Sequence, residues 1–160
     1  MGMMEVLVGA ISGSVAGALV GLPMLYAQNR MSRRTEIYQR STKAVSMAWE
    51  AAHEAERIIT GESPDVPLSI DALSRLRGVG GQLSQHGMLC LDNQVRARIE
   101  ESGHLLSQLG KAPATVRQQI ALVIARDAQS VCAAFLREDR SIPSRPRELE
   151  QHVLSIISVA

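Results

Sequence analysis

The chain has 160 residues, 46% of them hydrophobic and 21% charged, with a formal net charge of +1. That is the size of one compact domain plus its termini, without the bulk charge that draws a protein onto nucleic acid or keeps a tail solvated. Aromatic residues are 2% (Tyr26, Tyr38, Trp49 and Phe135), too few for a base-stacking surface, so any core must be built from Leu, Ile, Val, Met and Ala.

The first element is apolar. Residues 6–29, between Glu5 and Arg30, carry no charge and are dominated by Val, Leu, Ile, Ala and Gly. A helix of about 20 such residues crosses the hydrocarbon core of a bilayer with its backbone groups satisfied internally. A secretory signal would open on a positive region and end on small residues; this stretch opens on Met-Gly-Met-Met-Glu and ends on Met24-Leu25-Tyr26-Ala27-Gln28. A buried core helix rarely runs this far without charge. The expectation is a transmembrane segment over residues 1–29. Arg30, Arg33, Arg34, Arg40 and Lys43 follow it, with Glu36 the acid among them. The excess of cations predicts an outside N-terminus and a cytoplasmic remainder, with those five residues at the membrane surface facing anionic lipid. Tyr26 falls where an interfacial aromatic belongs.

Within the span, Gly9, Gly13, Gly17 and Gly21 recur at every fourth position, which aligns them in one groove along a helix. Burial alone does not drive helices together in lipid; close backbone approach does, and only small residues permit it. Three GxxxG steps in phase resemble the glycine-zipper pattern of self-associating membrane helices. The resemblance covers this stretch alone and implies helix pairing at these four glycines, with no activity attached. Pro23 would free a carbonyl near Leu19 and kink the end of the span.

The remainder reads as helices. Residues 32–60 contain no proline or glycine, and Val45, Ala48, Ala52, Ala55 and Ile59 form a stripe of small apolar side chains. Gly61 and a loop with Pro64 and Pro67 end it. A second helix begins at Ser69 and carries Ile70, Leu73, Leu76 and Leu83. Its Arg77-Gly78-Val79-Gly80-Gly81 segment fits no phosphate-cradling motif, since no strand precedes it and no Lys-Ser/Thr pair follows; a helix break or a close helix crossing is expected. Asp92 caps a third helix with Val95, Ile99, Leu106 and Leu109, stopped at Gly110. Thr115-Val-Arg-Gln118 matches a capping box opening the fourth, whose stripe is Ile120, Ile124, Ala128, Val131 and Phe135. After Pro143 and Pro146, a short fifth segment (Leu149, Val153, Ile156 and Ile157) runs to residue 160. The predicted fold is all-α: one N-terminal transmembrane helix, a bundle of about four antiparallel helices over residues 30–140, and a short C-terminal helix over 141–160.

Residues capable of chemistry do not assemble into a site. Glu50-Ala-Ala-His53 and Glu101-Ser-Gly-His104 have the Glu-x-x-His spacing of ferritin-like di-metal bundles. The second helix, however, supplies Asp71 and no glutamate. At about 100° per residue, Glu50 and His104 also lie opposite their helices' apolar stripes. Asp127, beside Arg126, reads as an edge carboxylate reaching solvent. Cys90 and Cys132 form no CxxC pair, and each lies in an apolar stretch, as buried reduced thiols do; a disulfide would need an oxidising compartment. His86 and His152 stand alone, and no GxSxG nucleophile motif is present. No enzyme activity, metal, cofactor or nucleic-acid partner is expected.

The leading functional expectation is a membrane-anchored helical scaffold. It would self-associate through its glycine groove and engage an unknown protein partner on the cytoplasmic side, consistent with a bacterial inner membrane. The alternative is a small effector whose glycine-rich helices form a pore or perturb the bilayer. The span's polar residues, Ser12 and Ser14, are few for lining a wet channel.

Overall fold

The computed structural model describes residues 3–149 apart from 65, 140 and 148; for 3–25 and 27 it describes the helix backbone alone. The side-chain environment of Gly9, Gly13, Gly17 and Gly21 and the C-terminal residues Val153, Ile156 and Ile157 lie outside the described residues; at Pro23, where a kink is expected, the helix assignment is continuous. All the regular structure described is helical: α1 Met3–Thr60, α2 Ile70–Met88, α3 Asn93–Ser107 and α4 Arg117–Leu136, with a 3₁₀ turn at Leu109–Lys111. The chain divides into two compact units, Met1–Gln39 and Arg40–Ala160.

In the first unit, every described side chain is exposed. In the second, burial begins at Ser41 and four helical segments enclose one core. On α1, Val45, Ala48, Ala52, Ala55 and Ile59 are all buried, as their spacing predicts, and α3 buries Val95, Ile99, Leu106 and neighbouring Leu109. Each fully buried Leu or Ile contributes about 1.5–3 kcal/mol. The many alanines let α1 and α4 approach: Gln129 on α4 donates from Nε2 to the Ala52 carbonyl at 3.2 Å and to Glu56 Oε2 at 2.9 Å. Arg126 donates to Glu56 Oε1 at 2.9 Å. Arg75 on α2 pairs with Glu54 on α1 at 3.3 Å.

The helix starts follow local chemistry. Ser69 Oγ accepts from the Ala72 amide at 3.1 Å and donates to Glu62 at 2.8 Å, closing the loop before α2. Asp92 Oδ1 accepts from the Gln94 and Val95 amides at 2.9 and 3.0 Å, capping α3.

Three expectations are corrected. Ile70 is 88% exposed; six residues ahead of Leu76, it stands about 120° from the buried stripe, which runs instead through Ala72, Leu76, Val79, Gly80, Leu83 and Gly87. The capping box at Thr115 does not form. α4 starts at Arg117 with Val116 as its uncapped N-cap, and Gln118 turns to the Ile59 carbonyl at 3.2 Å, a second donor beside the Glu62 amide at the end of α1. α3 ends at Ser107, ahead of Gly110; the turn that follows is tied by Arg117, which donates to the Ala112 and Gly110 carbonyls at 2.7 and 2.8 Å.

The glycine cluster of α2 is a close crossing inside an unbroken helix. A Cβ on Gly80 would come within 2.5 Å of the Gly103 carbonyl oxygen and Ser107 Oγ; one on Gly103 would meet the Gly80 carbonyl oxygen and Ser84 Oγ at 2.5 Å. The two backbones are in contact, which side chains of any size would prevent.

Candidate functional site

The structure places the predicted membrane-surface residues on α1. Arg30, Arg33, Arg34, Arg40 and Lys43 are all exposed. Arg30, Arg33 and Arg34 fall within about 100° of one another around the helix, so their guanidinium groups share a face. In this first unit Tyr26 is 73% exposed, and Met31, Ile37 and Tyr38 are exposed as well. A helix that buries none of its described side chains gains little from apolar burial along this segment. The arrangement suits a helix whose neighbours are lipid headgroups, water or another protein.

At one end of the bundle, Ser41 anchors the α2–α3 turn. Its buried hydroxyl accepts from the Leu91 amide at 3.0 Å and lies 3.8 Å from Cys90 Sγ. Arg96 donates to the Cys90 carbonyl through Nε at 2.9 Å and Nη2 at 2.6 Å. The turn is therefore held rigidly while presenting Met88, Leu89 and Leu91 to solvent, the first two at 66% and 61% exposure. Cys90 and Cys132 are both buried and neither is in a disulfide. Burial, with a smaller push from Cys90, raises the Cys132 thiol to about 12.

Two polar clusters were not anticipated. Asp127 is 3% exposed, which corrects its expected place at a solvent edge. Arg98 on α3 grips it twice, Nη2 to Oδ1 at 2.5 Å and Nε to Oδ2 at 3.3 Å, and donates a third bond to the Pro143 carbonyl at 3.4 Å. The signal available in sequence was weak: Asp127 sits one step from Ala128 on the apolar stripe, and its partner is 29 residues away. On α1, Trp49 stacks flat on His53 with centroids 5.4 Å apart, and His53 Nδ1 lies 4.0 Å from Glu56. Hydrogen bonds from Gln129 and then Arg126 hold the Glu56 carboxyl below its ordinary value.

The Glu-x-x-His motifs do not converge. Glu50, His53 and His104 are exposed, and Glu101 is engaged by Arg145. Among the described residues, no group of three or more His, Cys, Asp or Glu side chains could hold a metal ion. His86 is half-buried near the end of α2, and His152 lies outside the described residues. A shallow cleft of about 690 Å³ lies between the α1–α2 loop and the start of α4, lined by Ile59, Pro64, Val66, Pro67, Gln118 and Leu122 among others. Its walls are mostly apolar, with Thr60, Glu62 and Thr115 among them.

Among the described residues, α4 is the helix long and apolar enough to cross a membrane, with a mean hydropathy of 1.3. Half of it is buried, and its Ile120, Ile124, Ala128 and Val131 belong to the bundle core, which accounts for its apolarity. Comparison with protein-family models, curated proteins and solved structures finds no match to this chain.

Proposed function

We propose that the protein is a single-pass membrane-anchored scaffold. Residues 6–29 would lie in the bilayer and pair through Gly9, Gly13, Gly17 and Gly21, and the helical bundle would present a cytoplasmic interaction surface, with no catalytic role. The observation that carries this reading is the uncharged run of residues 6–29, closed by Arg30, Arg33 and Arg34 on an exposed face of α1. An apolar stretch of that length has no polar solvent in which it is stable as an isolated helix, and the basic face fits an anionic headgroup layer.

The test uses the full chain in membranes. It should remain with the vesicles after alkaline carbonate washing, and single cysteines at Gly9 and Gly13 should crosslink strongly while one at Leu19 does not. Release by carbonate would overturn the anchor, and uniform or absent crosslinks would overturn the glycine interface. Dye leakage from vesicles carrying the full chain would favour the pore-forming alternative.

A further inference from the structure

Beyond α4 the chain reverses sharply. Glu138 adopts φ 58°, the left-handed conformation that glycine usually supplies, and the Asp139 amide donates back to the Ala134 carbonyl at 3.0 Å. This is a Schellman-type ending with a side chain in a disfavoured backbone region. Residues 141–146 then run without regular structure. Their anchors lie on α3 and in the core: the Pro143 carbonyl accepts from Arg98, Arg145 pairs with Glu101, and Leu149 is buried in the bundle core. Ile142 packs against the same core.

The attachment is of an unusual kind. Pro143 and Pro146 have no amide to offer, so this stretch is not zipped to the bundle by a backbone ladder. It is pinned at separate points, and its ion pair is partly solvated, with side-chain exposures of 25% for Arg145 and 33% for Glu101. The Arg98–Asp127 pair beneath it is far more buried, at 14% and 2%, and joins α3 to α4 independently. The seam therefore has its own crosslink, and the segment above it has a weaker one.

We propose that residues 141–147 together with Leu149 form a releasable strap over the α3–α4 seam, hinged at Glu138 and latched by Arg145 on Glu101. The strap lifts as a unit while the four helices stay folded. Lifting withdraws Leu149 from the bundle core and breaks the bond from Arg98 to the Pro143 carbonyl. The charged latch is screened by salt and the buried pair is not, so ionic strength loosens the strap selectively.

Native-state proteolysis of the full chain tests this. Trypsin cleaves after Arg147 only when the surrounding segment leaves its seat. Cleavage there should be at least about tenfold slower than in a free peptide of residues 141–152. Relative to that peptide, it should rise about three- to tenfold in 0.5 M salt and in Glu101→Gln. The sites at Arg75, Arg96, Arg98, Arg117 and Arg126 should stay uncut. Cleavage at the free-peptide rate would mean that no latch exists. Cleavage only together with sites in α2–α4 would make the strap part of the global fold, and indifference to both salt and Glu101→Gln would remove the ion pair from the mechanism.

Discussion

Gly78, Gly80 and Gly81 lie within four residues of one another on α2, yet their surroundings differ completely. A methyl group at Gly78 or Gly81 meets nothing within 4 Å, whereas at Gly80 it strikes the Gly103 carbonyl oxygen, a backbone atom that cannot swing aside. Gly78→Ala and Gly81→Ala should each stabilise the protein by about 0.5–1 kcal/mol, the helix-propensity gain of alanine over glycine. Gly80→Ala should lose about 1–3 kcal/mol through overpacking that exceeds the same gain. Urea unfolding of the three variants measures both signs, and a Gly80→Ala protein as stable as Gly78→Ala would refute the close crossing. Sequence alone identified the cluster as a kink or a crossing. It did not single out Gly80, because Gly103 is 23 positions away and its partnership depends on how α2 and α3 meet.

At the scale of elements, α3 and α4 are joined by one buried pair, Arg98 and Asp127. Removing the carboxylate would leave a guanidinium with 14% side-chain exposure and without its counter-charge. Asp127→Ala should therefore cost about 3–5 kcal/mol in chemical unfolding, far above the typical surface substitution. A loss below about 1 kcal/mol would mean that the pair is solvated. The helices themselves were largely legible. Small apolar residues at spacings of three and four marked the buried faces of α1, α3 and α4, and Ser69 and Asp92 marked two starts. The failures were competitions between local and distant partners. Thr115 and Gln118 have the spacing of a capping box, but Gln118 bonds the end of α1 instead. Ile70 looked like a core residue because it is apolar, and its angle around the helix excluded it.

For the whole molecule, two groups tie stability to pH from opposite sides. Glu56 has its carboxyl lowered by Gln129 and Arg126, so the folded state favours its ionised form. That contribution is present above the ordinary carboxyl value of 4.5 and is lost as pH falls through the lower folded value. Cys132 is raised from 9.0 to about 12, so the folded state favours the protonated thiol; its contribution is present below pH 9 and is lost as pH climbs toward 12. The unfolding midpoint should form a plateau between about pH 5 and 9 and fall on both sides. Cys132→Ala should flatten the alkaline limb, and an unchanged limb would show that the thiol is not the group responsible. At neutral pH, alkylation of Cys132 should proceed only through opening of the bundle.

What the sequence determined by itself is local: four helices, their approximate ends and the faces of α1, α3 and α4 that seek cover, because periodicity and end-capping depend on residues a few positions apart. The tertiary structure decided which glycine is indispensable, where the Asp127 charge is neutralised and how the segment after α4 is fastened. Those outcomes depend on partners 23 to 45 residues distant, and only the packed arrangement of helices brings their atoms into range.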